Sequence, residues 1–537
     1  MAKYIFIIGG VMSSVGKGVI ASSVAKIMKS KGYKSTCVKI DAYINVDAGT
    51  MNPIEHGEVF VTYDKDETDQ DIGNYERFLD EDISSLNYMT TGRVYLSVIE
   101  KERNLKYGGR CVEVVPHIPL EVVERIKKAQ KKVNADIVII EIGGTVGEYQ
   151  NILFLEAARM MKLDTPEDVL SMMVSYLPVP PHVGQMKTKP TQHAVRTLNA
   201  SGIQPDFLVC RGPYDMDEPR KQKLATFCNV PKQNIISAPD MPSIYEVPLH
   251  LEKQNIGNNI LDILGLKKNK SDLVEWKKLV DKIKSLKKEV KIAVIGKYFS
   301  TGKYVLADSY LSVIEAVKQA AWANDRKPNL TWIDSETYEK DPKKISELKN
   351  FDGIIVPGGF GGRGIEGIIA SIKYARENDI PFLGLCYGMQ LAVVEFARNV
   401  CGLKDANTTE IDEKTKYPVI DILEEQKEII KGDKYGGTMR LGSYPANLKS
   451  GTMVQKLYGK DKIEERHRHR YEVNPKFIEV VESKGLVFSG VSPDRKLMEF
   501  MELPKNKFYI ATQSHPEFNS RFGKPAPLFY GFIKALL

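Results

Sequence analysis

The sequence predicts an α/β protein with two doubly wound domains. Residues 4–8 form an apolar strand pattern, followed by a loop of small residues and then by Ile20, Val24 and Ile27 at helical spacing. Strand and helix patterns of this kind alternate in both halves of the chain, which is typical of parallel sheets covered by helices. We expect a first domain over residues 1–265, a linker over 266–290 and a second domain over 291–537.

The expected strands follow the apolar runs of the sequence. In the first domain they are residues 4–8, 35–40, 58–62, 136–140 and 207–210, and in the second they begin at 291, 351 and 381. The linker contains nine lysines, and Leu273, Trp276 and Val280 recur at helical spacing within it. We interpret it as a solvated connector with an amphipathic helix. A calmodulin-target or membrane-surface helix is the alternative.

Composition excludes several classes of protein. The chain has 537 residues and a formal net charge of +7, which mildly favours anionic ligands and says little about nucleic acid. The sequence shows no RNA- or DNA-binding signature, so we expect no nucleic-acid partner. No apolar run approaches the ~20 residues that span a bilayer, and no apolar leader opens the sequence. The six cysteines form no CxxC pair, so we expect neither a disulfide framework nor a zinc site. We expect a cytoplasmic protein with no membrane partner.

The loop after the first strand resembles a phosphate-binding loop. Strand, glycine-containing loop and helix follow one another, and Gly16 and Lys17 stand at the end of the loop. Backbone N–H groups and a helix N-terminus can hold phosphate there, with Lys17 reaching the β- and γ-phosphates. The P-loop hydroxyl that binds Mg²⁺ is replaced by Gly18. An ordinary strand-to-helix turn is the alternative.

Charged residues follow other predicted strands. Glu141 stands at the end of one strand, where ligands of open α/β sheets bind, and is therefore a candidate Mg²⁺ ligand. Residues 64–71 include five carboxylates: Asp64, Asp66, Glu67, Asp69 and Asp71. A solvated acidic loop is the usual meaning of such a stretch, and a metal-binding loop is the sharper alternative.

The second domain contains a candidate nucleophile. Cys386 lies within Gly-Leu-Cys-Tyr-Gly, which allows a sharp strand-to-helix turn with the thiol exposed at its apex. The following helix N-terminus lowers a thiol pKa and offers N–H groups to an oxyanion. His515 and Glu517, in a downstream Ser-His-Pro-Glu string, provide a base and a group to orient it.

Together with the Pro-Gly-Gly-Phe-Gly string at 357–361, these residues resemble a class I glutamine amidotransferase domain. The resemblance implies hydrolysis of glutamine through a thioester on Cys386, with Gly359 stabilising the oxyanion. The ammonia released must be used before it is protonated. A synthetase domain in the same chain is therefore expected.

The first domain is similar to the amidoligase domain of the CTP synthase family. The similarity rests on residues 39–51, 56–61, 141–147 and 187–193, and on residues 436–442 and 466–474 of the second domain. It implies that ATP phosphorylates O4 of UTP and that ammonia then displaces phosphate at C4 to give CTP. It also implies Mg²⁺, GTP as an allosteric activator acting on a mobile lid at 436–442, CTP as an inhibitor, and a homotetramer.

The resemblance also assigns residues to each ligand. ATP is assigned Ser14, Val15, Gly16, Lys17, Gly18, Val19, Lys39, Asp71, Arg211 and Met241. Mg²⁺ is assigned Asp71 and Glu141. UTP and CTP are assigned Ser13, Glu148, Tyr149, Gln150, Lys187, Thr188, Lys189, Pro190, Thr191, Gln192 and Lys223. Glutamine is assigned Gly359, Tyr387, Gly388, Met389, Gln390, Glu410 and Arg470.

Two other functions fit parts of the sequence. A partition- or sensor-type ATPase would explain the phosphate-binding loop, but it leaves Cys386, His515 and Glu517 without a use. An amidoligase that acts on a carboxylate would explain the glutaminase, but the string at 187–192 argues against it.

One departure from the family pattern leads to a prediction. Relatives commonly have Gly-Asp-Ile-Glu where this chain has Gly147, Glu148, Tyr149 and Gln150, so the second acid is missing near the cytosine end of CTP. We expect weaker CTP inhibition than in relatives with both acids, and we expect Gln150→Glu to strengthen it. Inhibition by CTP, measured at fixed UTP, checks this. An unchanged inhibition constant in Gln150→Glu would show that Gln150 is not the cause of weaker CTP inhibition.

Overall fold

The computed structural model describes residues 2–297, 300–301, 304–305, 307–423, 426 and 436–537. The chain divides into two compact units. Unit 1 comprises Met1–Ala48 and Asp71–Asp281, and unit 2 comprises Gly49–Gln70 and Lys282–Leu537. A short segment of the N-terminal half therefore belongs to the same compact unit as the C-terminal half.

Unit 1 is built on a parallel sheet in the order β5-β2-β6-β1-β7-β8-β9. Its strands are β1 (Lys3–Gly10), β2 (Ser35–Asp41), β5 (Tyr88–Thr90), β6 (Ile137–Ile142), β7 (Val169–Tyr176), β8 (Phe207–Gly212) and β9 (Ile235–Pro239). Helices cover the sheet: α1 (Lys17–Ser30), α3 (Asp71–Leu79), α4 (Thr91–Arg103), α5 (Val114–Val133), α6 (Ile152–Asp164), α7 (Lys189–Ala200), α8 (Glu218–Cys228), α9 (Val247–Lys253), α10 (Ile256–Ile263) and α11 (Val274–Ser285). The doubly wound fold expected for the first half is confirmed.

Strand order determines which loops meet in unit 1. β1 is central, between β6 and β7, and all three run in the same direction. The loops that follow them, at 11–16, 143–148 and 177–188, therefore leave the same edge of the sheet, where open α/β sheets bind ligands.

Unit 2 contains a mixed sheet in the order β13-β10-β14-β15-β23-β22-β21-β18-β19. Its strands are β10 (Glu289–Gly296), β13 (Lys327–Asp334), β14 (Gly353–Val356), β15 (Phe382–Leu385), β18 (Arg440–Leu448), β19 (Lys462–His469), β21 (Val487–Val491), β22 (Met498–Glu502) and β23 (Tyr509–Thr512). Smaller sheets pair β3 (Val59–Val61) with β4 (Glu67–Asp69), β11 (Ser300–Thr301) with β12 (Tyr304–Val305), and β16 (Ala406–Thr408) with β17 (Tyr417–Ile422) and β20 (Tyr471–Val473).

Unit 2 also contains helices between its strands. They are α2 (Pro53–His56), α12 (Leu311–Ala323), α13 (Glu336–Lys340), α14 (Ile365–Glu377), α15 (Tyr387–Asn399), α16 (Met453–Tyr458), α17 (Ile478–Glu482) and α18 (Pro527–Ala535). The parallel half of the sheet includes β14 and β15. The carboxyl end of β14 leads into the Pro-Gly-Gly-Phe-Gly string at 357–361, and that of β15 leads into the turn at Cys386.

The segment Gly49–Gln70 is an integral part of unit 2. Both carboxylate oxygens of Glu58 accept the backbone N–H of Ser312 at 3.0 Å, and one also accepts its hydroxyl at 2.5 Å. A carboxylate at the start of α12 is stabilised by the helix dipole as well as by these hydrogen bonds. Arg466 donates to the carbonyl of Val61 at 3.0 Å. The N-terminal sequence thus supplies a buried cap for a helix more than 250 residues later.

The acidic stretch at 64–71 is not a solvated loop throughout. Glu67 and Asp69 are buried in β4, opposite Val61 and Val59. Glu67 accepts a hydrogen bond from Arg468 Nε at 2.8 Å, and Asp71 begins α3 in the other unit. The expectation of a solvated loop is wrong here, because buried partners far away in the sequence compensate these charges.

The linker helix is amphipathic, as expected, and its apolar face is covered. Trp276 is buried in unit 1, donates its indole N–H to the carbonyl of Tyr245 at 2.7 Å, and packs near Phe78. This packing favours a structural connector over a calmodulin-target or membrane-surface helix. None of the helices in the described ranges combines the length and apolar character that crossing a bilayer needs. All six cysteines lie within the described ranges and are unpaired.

The buried cap of α12 gives a prediction about local stability. Glu58→Ala removes the acceptor of a buried helix N–H, which costs about 1–3 kcal/mol. We expect faster amide hydrogen exchange in peptides covering 58–61 and 311–316, with exchange in β1 unchanged. Ser312→Ala is the matched control, since the backbone N–H keeps its acceptor and the change should be smaller. Wild-type exchange rates in Glu58→Ala would contradict this role.

Candidate active sites

The loop after β1 in unit 1 has the backbone geometry of an anion-binding site. Val11, Ser14 and Gly16 have positive φ values of 78°, 55° and 84°, and Gly16 caps the N-terminus of α1. Alternation of left- and right-handed residues turns successive N–H groups inward, and the helix N-terminus adds partial positive charge. This geometry favours the phosphate-binding hypothesis over an ordinary turn.

The folded chain provides a steric reason for a glycine at position 18. A Cβ at Gly18 would lie 1.9 Å from Oδ1 of Asp71, at the start of α3. The carboxylate of Asp71 therefore occupies the space that the P-loop hydroxyl would need. The missing Ser or Thr is thus explained by an acid from elsewhere in the chain.

Three acidic side chains surround the ammonium of Lys39. Lys39 Nζ forms an ion pair with Asp71, lies 3.3 Å from Glu141 Oε1 and lies 3.7 Å from Asp41 Oδ1. The hydroxyl of Tyr75 donates to the other oxygen of Glu141 at 2.5 Å. Burial, together with the charge of Asp71, raises the pKa of Glu141 above its ordinary value. This is a concentrated, buried acidic site at the edge where the loops meet.

Lys17 lies beside this acidic cluster. It is buried, and its Nζ donates to the carbonyl of Gly144 at 2.9 Å, in the loop after β6. Burial lowers the pKa of Lys17, and the carboxylate of Glu141 opposes that effect. The structure thus brings together Lys17, at the end of the first loop, and Glu141, near the end of β6.

Arg211 also reaches the phosphate-binding loop. It stands in β8, and a Cβ on Gly16 would lie 3.7 Å from its Nε. Its guanidinium donates to the carbonyl of Ala238 at 3.3 Å and to the carboxylate of Asp240 at 2.9 Å. Met241 follows Asp240 directly in the chain, so it lies next to the partner of the Arg211 guanidinium.

The string at 187–192 begins α7, next to the same loop. Thr191 shares a hydrogen bond of 2.8 Å with Ser175 near the end of β7, and a Cβ on Gly10 would lie 3.1 Å from Ala194 Cβ. Lys189 is exposed and Lys187 is half-buried. Ser13, in the neighbouring loop, is exposed. The N-terminal half of α7 and the end of β1 therefore adjoin one another.

Other predicted nucleotide residues are less tightly held. The carboxylate of Glu148 folds back onto its own loop and accepts from the N–H and hydroxyl of Thr145 at 3.0 and 2.5 Å. Tyr149 and Gln150 are exposed, as is Lys223 on α8. Among the described residues, the structure joins Tyr149, Gln150 and Lys223 to neither the loop nor α7 by a hydrogen bond.

In unit 2, Cys386 occupies the sharp turn between β15 and α15. Its φ of 49° and ψ of −98° are strained for a non-glycine residue, and its N–H donates to the carbonyl of Thr512 at 2.7 Å. Gly388 allows the close packing of this turn, since a Cβ there would lie 2.3 Å from the carbonyl of Val356. The expected nucleophile turn is present.

His515 and Glu517 lie beside Cys386 in unit 2. Nδ1 of His515 lies 2.7 Å from Oε1 of Glu517, and the imidazole stacks on Phe518 with centroids 5.2 Å apart. Burial alone would lower the pKa of His515, but Glu517 and the sulfur of Cys386 outweigh it and raise the pKa to about 10. A protonated imidazole beside a thiolate is the activated form of a cysteine nucleophile.

A pocket of about 360 Å³ opens onto this arrangement. Its lining includes Cys386, His515, Gly359, Gln390, Glu410 and Arg470, together with a wall from the segment Gly49–Gln70 formed by Gly49, Met51, Pro53, Glu58 and Val59. The N-terminal wall was missed in the sequence, because no local pattern shows that these residues fold beside Cys386.

The predicted glutamine residues are held in different ways. Glu410 accepts the N–H of Gly361 at 2.6 Å, and burial raises the pKa of Glu410. Arg470 donates to Gln426 and, at 2.9 Å, to the hydroxyl of Thr438. Tyr387 and Met389 are buried in the core rather than in the pocket lining.

The proposed lid at 436–442 is partly strand. Arg440 begins β18 and forms a buried ion pair with Glu499 at 2.7 Å. A Cβ on Gly442 would lie 2.8 Å from the backbone N of Lys65, so the chains approach closely there. Only residues 436–439 of this string precede the strand.

Comparison with known proteins identifies the family of the chain. The profile of the CTP synthase N-terminus family matches residues 3–266, and that of the class I glutamine amidotransferase family matches residues 305–535. The chain is 52% identical to a CTP synthase of Methanocaldococcus jannaschii over 100% of this chain and 98% of the relative. It is 52% identical to a CTP synthase of Pyrococcus abyssi, with the same coverage of each chain.

The chain belongs to the CTP synthase family. It is a ligase of pyrimidine biosynthesis that uses ATP and glutamine to aminate UTP to CTP. The C-terminal half has the class I glutaminase fold, and the N-terminal half has the parallel-sheet synthase fold.

The contact between Gly18 and Asp71 gives a prediction. Gly18→Ser restores the P-loop hydroxyl but forces the Asp71 carboxylate away, and a displacement of about 1 Å at a reacting site can cost roughly 100-fold in rate. We expect ammonia-dependent CTP synthesis to fall about 100-fold. Gly18→Ala is the matched control, because it adds the Cβ without a hydroxyl and should fall equally. Full activity of Gly18→Ser, with circular dichroism confirming that both variants fold, would refute the steric explanation.

Proposed function

We propose that unit 1 phosphorylates O4 of UTP with ATP and that unit 2 releases ammonia from glutamine to displace the phosphate at C4. The observation that carries this proposal is the presence, in one chain, of the Lys17–Lys39–Asp71–Glu141 cluster and the Cys386–His515–Glu517 arrangement. The first cluster fits the phosphorylation of UTP, and the second arrangement fits the release of ammonia from glutamine.

Phosphoryl transfer needs charge neutralisation and positioning more than acid–base chemistry. Ser14 to Val19 provide the N–H groups for ATP phosphates, with Lys17 and Lys39 facing the transferred group. Arg211 and the backbone near Met241 face the adenine. Ser13, residues 187–192 and Lys223 hold the UTP phosphates, and Glu148, Tyr149 and Gln150 take part in CTP binding.

Asp71 and Glu141 would hold Mg²⁺. The residues fit a divalent cation, because the buried carboxylate of Glu141 and the half-buried carboxylate of Asp71 meet on a single ammonium, and burial together with the charge of Asp71 raises the pKa of Glu141. Hard oxygen ligands are those that Mg²⁺ prefers. When bound, the ion neutralises charge on the phosphates. The chain's own lysines orient the same oxygens.

Glutamine hydrolysis follows from the residues of the pocket. Cys386 attacks the side-chain carboxamide, and N–H groups around Gly359 stabilise the oxyanion. His515 delivers its proton to the departing ammonia and then accepts a proton from the water that attacks the thioester. Glu517 keeps the imidazole oriented and charged. Glu410 and Arg470 bind the α-amino and α-carboxylate groups, for which Arg470 exchanges its bonds to Gln426 and Thr438.

Regulation and assembly follow the family pattern in this proposal. GTP activates glutamine hydrolysis through residues 436–442, CTP inhibits at the UTP site, and the cytoplasmic enzyme is a homotetramer. Ammonia passes through the protein to the phosphorylated pyrimidine. A sensor-type ATPase would need no strained Cys386 turn and no His515–Glu517 pair, so the enzyme is favoured.

The division of labour gives a prediction. Cys386→Ala removes the nucleophile, so synthesis of CTP from UTP, ATP, Mg²⁺ and glutamine should fall at least 1,000-fold, by analogy with the loss of other covalent nucleophiles. Synthesis from ammonium should stay within about twofold, since unit 1 needs no thiol.

Cys111→Ala, which alters an exposed cysteine, is the matched control and should retain both activities. Chromatography of CTP checks all four combinations. Loss of both activities in Cys386→Ala would contradict the proposed division, and absence of CTP from the unaltered protein with either nitrogen source would contradict the proposed mechanism altogether.

A further inference from the structure

Lys297 is a buried lysine beside the glutaminase pocket that the proposed chemistry does not use. It directly follows β10, next to the end of β14, and has only 5% of its surface exposed. A buried ammonium needs hydrogen-bond acceptors to offset its lost hydration. Its partners therefore indicate what it does.

The ammonium of Lys297 has three acceptors in one place. Its Nζ donates to the carbonyl of Gly361, to the carbonyl of Phe360 at 3.3 Å and to the hydroxyl oxygen of Tyr387 at 3.2 Å. It also lies 4.4 Å from the centre of the Tyr387 ring, in cation–π geometry. A lysine ammonium has three N–H donors, so this site uses all of them.

Gly361 is also held by two other side chains, those of Tyr387 and Glu410. The hydroxyl of Tyr387 donates to the carbonyl of Gly361 at 2.9 Å, and Glu410 accepts the N–H of Gly361 at 2.6 Å. Gly361 has a φ of 78°, which favours glycine. Gly361 is the last residue of the loop at 358–361, in which Gly359 is the proposed oxyanion donor. At the other end, a Cβ on Gly358 would lie 2.8 Å from His515 Cε1.

We propose that Lys297 is a positioning residue for glutamine hydrolysis, whose ammonium holds the loop at 358–361 so that Gly359 meets the developing oxyanion. The inference rests on the proposed role of Gly359. An oxyanion hole works only when its donors lie within hydrogen-bond distance of the place where charge develops. Lys297 acts through the loop and touches no reacting atom.

Protonation of Lys297 supplies a test of this role. Burial lowers the pKa of Lys297 to about 8, and the carboxylates of Glu410 and Glu339 oppose that effect. Among the residues that the structure describes, the hydroxyl of Tyr387 on α15 also faces it. The neutral amine has two N–H donors and a lone pair, so one of the three hydrogen bonds that Lys297 donates is lost as the pH rises through about 8. The imidazole of His515, with a pKa of about 10, titrates in a different range.

The experiment compares Lys297→Met with the unaltered full-length protein between pH 6 and 9. Methionine keeps the length of the side chain but cannot donate. We expect kcat for glutamine hydrolysis at pH 7 to fall about 10- to 100-fold, with KM for glutamine within about twofold. Ammonia-dependent CTP synthesis should be unchanged. The unaltered protein should lose kcat above about pH 8, and that decline should be absent in Lys297→Met.

Two further variants sharpen the result. Tyr387→Phe removes one donor to Gly361 and one acceptor of Lys297, so we expect a smaller fall in kcat with KM again unchanged. Lys340→Met alters an exposed lysine of α13 and is the matched control, which should behave as the unaltered protein. If Lys297→Met does not fold, Tyr387→Phe still tests the loop.

Specific results would overturn the proposal. An increase in KM with kcat unchanged would make Lys297 a substrate-binding residue, and a decline near pH 8 that persists in Lys297→Met would belong to another group. Equal loss of ammonia-dependent synthesis would indicate a structural role. The proposed thiol chemistry is judged separately, by whether the unaltered protein hydrolyses glutamine and Cys386→Ala does not.

Discussion

The ion pairs of the buried Lys39 ammonium are the interactions on which the proposed nucleotide centre depends. They join β2, β6 and the first residue of α3 through Asp71 and Glu141. Removing one partner of a buried ion pair typically costs 3–5 kcal/mol, since it leaves a charge without compensation. The same cluster explains the loop after β1, because the Asp71 carboxylate leaves room only for glycine at position 18. The acidic side chains and the unusual loop are therefore parts of one arrangement.

The segment Gly49–Gln70 places part of the N-terminal sequence in the glutaminase unit. Its Glu58 caps α12, its Glu67 pairs with Arg468, and its Phe60 packs edge-on against Phe518, which stacks on His515. The segment also forms a wall of the pocket that contains Cys386. The residue that follows it, Asp71, belongs to the proposed nucleotide centre. One continuous stretch of chain thus contributes to both centres.

Close packing of small residues sets the geometry around Cys386. A Cβ on Gly388 would meet the carbonyl of Val356, and a Cβ on Gly358 would meet the ring of His515. The strained backbone of Cys386 persists because the surrounding strands and the hydrogen bond to Thr512 hold it. Polar groups then orient the loops: Glu517 orients His515, while Glu410, Tyr387 and Lys297 hold Gly361.

Local sequence determined the fold class, the phosphate-binding loop, the nucleophile turn and the His515–Glu517 pair. Each depends on residues near one another in the chain: apolar runs that form buried strands, glycines where backbones approach closely, and two side chains two residues apart. Tertiary structure decided which unit contains residues 49–70, why Glu67 and Asp69 are buried, and what Lys297 binds. Those contacts join residues as far apart as Glu67 and Arg468, separated by 401 positions, and no local pattern specifies such a pair. The reason for Gly18 likewise became visible only when α3 brought Asp71 beside it.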